Sequence, residues 1–392
     1  MKKVLTGFLM VGMILSMGAG KKNQQTAKKT MNSVFRGFLG LVPFMNSQMK
    51  FKDLANKEEI HTHLTTLKNA FENAKHIKTF EMPGFNPSFE QAKTHLKETL
   101  EAFEGGQPDF ARVRLRATGQ LCISCHTQLK GNRGSFGPLN TLSRSDFSSD
   151  YEFAEFLFLI RNYRKAERYF EKEINEAFEK SRKLSKVNKV NSFAYRGNKI
   201  ERSLEKTLTI HTKVKYAPEK VLPIIQKYSR NKYIDSELKG KMEGWIASLK
   251  KWKKSDYEGR IKNANELRSF IDKNLSKYAD SFSSFDGRND VDLLVASGAL
   301  YQYLYKKPRS KDTPEVLFWL SKVDEHLNNS FLFSLSELYL KRCITDYGKT
   351  KWGPKCYRTY RDKISHGYTG SAGVFIPKDE VDELKRLKSF LN

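Results

Sequence analysis

The stretch Cys122-Ile123-Ser124-Cys125-His126 decides how the rest of this chain of 392 residues is organised. Apolar residues recur every three or four positions before it, which indicates that the stretch lies on a helix. On a helix, residues three and four apart lie on one face, so Cys122, Cys125 and His126 point in the same direction. Two thiols and one imidazole therefore face whatever packs against that side of the helix.

Cys-x-x-Cys-His is the attachment signature of a c-type haem. The two thiols would bond to the vinyl groups of one porphyrin, and the imidazole of His126 would be the proximal iron ligand. A zinc site would need two further ligands and would leave His126 unexplained. A thioredoxin-like cysteine pair would need alternating strands and helices, and that pattern is absent. We therefore predict one covalently bound haem c, held by Cys122, Cys125 and His126.

Four amphipathic helices are predicted over residues 31–135, and the haem motif lies at the end of the fourth. Pro43 ends the first helix, Asn56 and Ser88 are the predicted N-caps of the second and third, and Asp109 opens the fourth. This order resembles the class II cytochromes c, the cytochrome c-prime family. The likeness also includes Glu104-Gly105-Gly106-Gln107 between the last two helices and the basic Lys130 four residues after the histidine.

The resemblance implies a four-helix bundle in which a side chain of the first helix occupies the distal side of the iron. Phe35 or Phe38 there would leave an open iron able to bind NO, CO or O2. Met31 there would make a sixth ligand and a plain electron carrier. The later methionines Met45 and Met49 compete with Met31 for this role.

Other residues of this region have alternative interpretations. Histidines on amphipathic helices are mostly surface or boundary residues, but any of four could be a distal ligand: His61, His63, His76 and His95. Basic residues could neutralise haem propionates or could form a solvated positive face: Arg112, Arg114, Arg116 and Lys130.

Residues 1–20 predict an export signal, with a basic start, an apolar run of 16 residues from Val4 to Ala19 and small residues before Lys21. The run is shorter than the ~20 residues that span a bilayer, so an uncleaved anchor is the less favoured interpretation. Cytochromes of the family named above acquire their haem outside the bacterial cytoplasm. The predicted location is therefore the periplasm.

The formal net charge is +26, from 70 lysines and arginines against 44 acidic residues. Nucleic acid is not expected as a partner, because the chain has no nucleic-acid motif and carries an export signal. In the periplasm, the positive charge would attract an acidic redox protein or anionic lipid headgroups.

Glycine, serine and proline are enriched from 131 to 149, which predicts a linker at 136–149 before a second domain at 150–392. That domain shows helix after helix, and residues 162–170 weakly resemble the second helix of a tetratricopeptide unit, which predicts a helical-repeat, solenoid-like array. The leftover pair Cys343 and Cys356 should form a disulfide in an oxidising compartment.

The sequence thus predicts an all-α protein, with a four-helix cytochrome bundle followed by a helical-repeat domain for partner docking or haem shielding. One-electron transfer is the expected function, without an enzymatic role of its own. A haem-based gas binder or sensor and a periplasmic scaffold with a structural haem are the alternatives.

Overall fold

The computed structural model describes residues 26, 29–74, 77–128, 141–187, 197–252, 261–279, 286–331, 334–371 and 373–392. Within these ranges the protein is helical apart from one hairpin of two-residue strands, which confirms the all-α class. The predicted signal at 1–20, Lys130, His76 and the first part of the predicted linker lie outside the described residues. No described helix is both long enough and apolar enough to cross a bilayer.

The first 128 residues contain six described helices, four of them at the predicted places. They are α1 (29–45), α2 (Gln48–Lys52), α3 (Lys57–Glu72), α4 (Lys78–Glu81), α5 (Asn86–Glu104) and α6 (Pro108–His126).

The later residues form eleven further described helices and the hairpin. They are α7 (Asp150–Leu159), α8 (Tyr163–Val187), α9 (Gly197–Thr209), α10 (Pro218–Ser229), α11 (Ser236–Lys251), α12 (Ala264–Asn274), α13 (Asp290–Lys306), α14 (Thr313–Phe331), α15 (Ser336–Tyr347), α16 (Trp352–Gly367), β1 (Thr369–Gly370), β2 (Gly373–Val374) and α17 (Lys378–Lys388). The two strands pair antiparallel, with Thr369 opposite Val374.

The chain divides into two compact units, and the division runs through α6. Described residues up to Cys122, together with 141–148, form the first unit. Residues 123–128, together with those from Ser149 onwards, form the second. One boundary between the units lies at Ser148 and Ser149, and another lies within α6, whose last turn belongs to the second unit.

Apolar stripes build the core of the first unit, as the three- and four-residue spacing predicted. Ile60, Leu64 and Leu67 on α3 are almost completely buried, and Leu96 on α5 is as well. Glycine permits a close approach of α1 to α3, because a Cβ at Gly40 would overlap the ring of His63. The spacing of apolar residues thus predicted where these helices lie, but it does not predict the residues that cap them.

Asn56 is the N-cap residue of α3 as predicted, but its side chain does not cap the helix, and the predicted N-cap at Ser88 is wrong because α5 begins two residues earlier. The Nδ2 of Asn56 donates to the carbonyl oxygen of Lys50 at 2.9 Å. Ser88 is buried inside the first turn of α5, which begins at Asn86 with Pro87 in that turn. Asp109 does lie in the first turn of α6, where it accepts from Gln48 at 2.8 Å.

Helices adjacent in sequence pack against each other in the second unit, beginning with the hairpin of α7 and α8. In the tetratricopeptide-like phrase, Tyr163, Ala166 and Phe170 are completely buried, and Tyr169 is half-buried. Segments that are distant in sequence also pack together: α9 packs on α14, and the π-helical turn Ile210–Val214 packs on α13. Burial of these apolar faces defines the core.

The Sγ atoms of Cys343 and Cys356 lie at disulfide distance and link α15 to α16, as predicted. Both residues are completely buried, and their Cα atoms are 6.2 Å apart. A loop of this size gives a stabilisation of about 3 kcal/mol in the chain-entropy model.

Gly353→Ala should lower the free energy of unfolding by about 3 kcal/mol, because overpacking against backbone cannot be relieved by a rotamer change. A Cβ on Gly353, in the first turn of α16, would overlap the backbone of Gly348. Gly367→Ala, at the other end of α16, is the matched control, since no atom lies within 4 Å of its Cβ. Urea denaturation would measure both variants, and equal stabilities would contradict the prediction.

Candidate functional site

The predicted attachment residues lie in the last two turns of α6. The helix is continuous through His126, so the spacing places Cys122, Cys125 and His126 on one face. All three are half-buried, and their neighbours Ile123 and Ser124 are buried. Neither Cys122 nor Cys125 is in a disulfide.

His126 is oriented by a hydrogen bond from its ring to the backbone of the second unit. Its Nδ1 lies 2.9 Å from the carbonyl oxygen of Leu159. Because that oxygen can only accept, Nδ1 is the protonated nitrogen and the lone pair of the neutral ring is on Nε2. Metal-ligating histidines are commonly held in this way by a second hydrogen bond.

Burial keeps the imidazole neutral. It lowers the pKa of His126 to about 4, against the opposing effect of the Leu159 hydrogen bond, and the charge of Arg161 lowers it further. A neutral imidazole with a defined tautomer is the form that binds a metal. The side chain therefore fits the axial ligand of a haem at pH 7.

The turn between α7 and α8 supplies the acceptor for His126. Leu159 is the last residue of α7, where carbonyl oxygens lack partners within the helix. Arg161 lies two residues after the end of α7 and has a positive φ of 61°, which is uncommon for a residue other than glycine. Its side chain is buried, with 2% exposed. The hairpin that resembled a repeat unit in sequence therefore positions the candidate ligand.

A buried polar cluster of the second unit is within electrostatic reach of Cys125 and bonds to Gln128, just after the motif. The hydroxyl groups of Tyr301 on α13 and Tyr339 on α15 are hydrogen-bonded to each other, and the side chain of Gln128 bonds to Tyr301. Burial raises the pKa of both tyrosines well above its usual value, and charges on Asp324 and Cys125 would raise it further. Cys125 and Asp324 are therefore both within electrostatic reach of the tyrosine pair.

The chemistry of the two motif cysteines does not favour the alternatives to haem. Burial raises the pKa of the Cys122 thiol to about 12, whereas a redox-active thiol needs a lowered pKa. The disulfide occupies Cys343 and Cys356, so neither can complete a zinc site. Within the part of the chain that the structure describes, no three His, Cys, Asp or Glu side chains are grouped as a metal site.

The distal candidates belong to the first unit. Phe35 and Phe38 are buried on α1, and Met31 on the same helix is half-buried. Met45 is buried, whereas Met49 is 84% exposed. A distal role for Met31, Phe35 or Phe38 remains a prediction.

Several of the candidate histidines and arginines of the first unit have partners within that unit. His61 Nε2 lies 2.8 Å from Glu104, and His95 Nε2 lies 2.7 Å from the carbonyl oxygen of Arg114. Arg112 donates to the carbonyl oxygen of Met45 at 3.0 Å, and Arg114 pairs with Glu98. These contacts support the structural interpretation of the residues.

Sequence reasoning missed the residues of the second unit that interact with the motif. Leu159 contacts His126 through its backbone carbonyl, and Arg161, Tyr301 and Tyr339 are within electrostatic reach of His126 or Cys125. Lys213 and Asp324 interact in turn with the tyrosine pair. A lysine between the apolar Ile210 and Val214 was a signal of a buried charge, but its partners are more than 80 residues away in sequence. No family model, curated protein or solved structure matches this chain.

Proposed function

We propose that this chain is a periplasmic mono-haem c-type cytochrome that transfers single electrons. The observation that carries the proposal is the set of Cys122, Cys125 and His126 on one face of α6, with the Nδ1 of His126 engaged by Leu159. In the finer form of the proposal, the first unit is a bundle like that of class II cytochromes c and the second is a helical-repeat domain.

Each residue of the motif has a distinct role in this proposal. Cys122 and Cys125 would hold the porphyrin through thioethers, and His126 would ligate the iron through Nε2. Bound there, the haem supplies an Fe(III)/Fe(II) couple for one-electron transfer. The Leu159 carbonyl accepts a hydrogen bond from Nδ1 of His126. This leaves the lone pair of Nε2, on the opposite side of the ring, for the iron.

The positive charge of the chain supports an acidic redox protein as partner. An excess of 26 positive charges attracts an acidic surface over distance and raises the rate of encounter. This attraction is screened beyond about 8–10 Å at physiological salt, so the rate should fall as ionic strength rises. An anionic membrane surface is the second candidate partner for the same charge, and the helices of the second unit would dock the partner or shield the haem.

Covalent haem staining tests the proposal directly. The full-length chain, expressed with export and haem-maturation machinery, should retain haem on a denaturing gel and give a c-type haemochrome spectrum. Cys122→Ala combined with Cys125→Ala should abolish both signals. Cys343→Ala combined with Cys356→Ala is the matched control that removes the disulfide and should keep them, and a wild-type chain without covalent haem would refute the proposal.

Carbon monoxide separates the electron carrier from the gas-binding alternative, which rests on the buried Phe35 and Phe38 of α1. Immediate binding of CO to the reduced protein, without displacement of a ligand, would favour the gas binder. For the scaffold alternative, loss of partner binding together with the haem in the Cys122→Ala, Cys125→Ala protein would count against it.

A further inference from the structure

Two fully buried groups that carry opposite charges, Lys213 and Asp324, lie in the second unit and interact with the tyrosine pair Tyr301 and Tyr339. Lys213 is 1% exposed and Asp324 on α14 is 4% exposed. Their charges act on each other, and Asp324 also accepts a hydrogen bond from the backbone N–H of Leu335 at 2.7 Å. Lysine and aspartate are rarely buried to this extent unless they are paired.

An unusual piece of backbone directs Lys213 into this position. It lies in the π-helical turn Ile210–Val214. Such turns are rare in proteins, and those that occur are often found at functional sites. Tyr216, just after the turn, has a positive φ of 49°. Gly298 on α13 allows the close packing of this segment, because a Cβ there would lie 3.0 Å from the Tyr216 ring.

The tyrosine pair connects these charges with the motif. The Nζ of Lys213 lies 4.9 Å from the ring centroid of Tyr301, whose hydroxyl is hydrogen-bonded to Tyr339. The side chain of Gln128, two residues after His126, bonds to Tyr301. A charge on Cys125 acts on both tyrosines. Cys125 therefore acts on the same two tyrosines as Lys213 and Asp324 do.

Both groups carry their charge at pH 7. Burial lowers the pKa of Lys213 to about 8, with Asp324 opposing the shift. Burial raises the pKa of Asp324 to about 6, with the charges of Lys213 and Lys363 opposing it. The lysine is therefore mainly a cation and the aspartate mainly an anion.

We propose that the buried charges of Lys213 and Asp324 tune the reduction potential of the haem held by Cys122, Cys125 and His126. The inference rests on the proposed function, since it concerns the haem of that site. Reduction adds one electron, so a nearby cation favours the reduced state and a nearby anion favours the oxidised state. Buried charges act over longer distances than exposed ones, because little water screens them.

A purely stabilising role does not account for such a pair. Replacing a buried ion pair with apolar residues of similar size is often neutral or stabilising for a fold. Apolar side chains at 213 and 324 would therefore fill the same space, although the backbone N–H of Leu335 would lose its acceptor on Asp324. An effect on the charge of a neighbouring group is what the ionised pair adds.

Spectroelectrochemical titration of the full-length haem protein at pH 7 tests the inference through opposite effects of two variants. Lys213→Met should lower the reduction potential and Asp324→Asn should raise it, each by about tenfold in the equilibrium constant for reduction, or about 59 mV for one electron. The double variant Lys213→Met, Asp324→Leu should return towards the wild-type value. Lys241→Met, which removes a cation that pairs with Glu201 on α9, is the control and should leave the potential unchanged.

Shifts in the same direction for the two single variants, or shifts no larger than that of Lys241→Met, would overturn the inference while haem remained bound. If Lys213→Met does not fold, the comparison of Asp324→Asn with the apolar double variant decides, and equal potentials would refute the role. Absence of covalent haem from the wild-type chain would instead refute the proposed function.

Discussion

His126→Gly will retain covalent haem through Cys122 and Cys125 but lose the proximal ligand, and added imidazole will restore it. We expect the optical spectrum of the reduced variant to change to that of a weakly ligated haem. The reason is geometric, because His126 is the imidazole on the same face of α6 as the two thiols and Leu159 holds its orientation. Spectra taken with increasing imidazole measure the rescue, and glycine leaves the space for it.

His366→Gly is the matched control, because it removes an exposed histidine from α16. Its spectrum should equal that of the wild type with and without imidazole. A His126→Gly protein that keeps covalent haem and shows the wild-type spectrum would contradict the assignment of His126 as proximal ligand.

Two carboxyl groups buried in the second unit should make a contribution to the free energy of unfolding that falls as the pH rises from about 4 to 8. The buried imidazole of His126, whose pKa is lowered, contributes with the opposite sign in the lower half of this range, so the carboxyl contribution is isolated by comparing variants. Asp290 and Glu205 are each 3% exposed. Burial, followed by the charge of Glu205, raises the pKa of Asp290 to about 8, and Trp245 and Lys241 oppose the shift. Burial, followed by the charge of Glu201, raises the pKa of Glu205 to about 7, and Lys206, Lys241 and Arg202 oppose it.

The sign follows from proton binding. Between the unfolded pKa of about 4 and these folded values, the native state holds protons that the unfolded chain has lost, so stability falls as pH rises. Each group contributes a slope of up to about 1.4 kcal/mol per pH unit within its own range. Below pH 4 and above pH 8 these two groups give no slope.

Asp290→Asn is the sharper of the two test variants. An amide at 290 keeps an oxygen for the Nε1–H of Trp245, which donates to Asp290 at 3.1 Å. Asp290→Asn and Glu205→Gln should each flatten the pH dependence and increase stability at pH 8, measured by urea denaturation across the range. Asp286→Asn removes the same charge from an exposed position and is the control. A wild-type slope in Asp290→Asn would contradict the prediction.

Local patterns determined much of the fold. The three- and four-residue spacing of apolar side chains located α1, α3, α5, α6 and the α7–α8 hairpin, because helical periodicity is a property of neighbouring residues. The Cys343–Cys356 pairing also followed from the sequence, since these were the two cysteines outside the haem motif. The caps were less predictable: the Asn56 side chain bonds to the preceding turn instead of capping α3, and α5 begins at Asn86, two residues before Ser88.

For the candidate site, the sequence by itself identified the residues proposed to carry the chemistry: Cys122, Cys125 and His126, whose spacing on one turn of helix is local. Only the tertiary structure decided what surrounds them. The Leu159 carbonyl that orients His126 and the tyrosine pair beside Cys125 come from helices that are 33 to more than 200 residues away in the chain. Such partners are selected by the packing of apolar faces, and packing between distant segments leaves no periodic signal in the sequence.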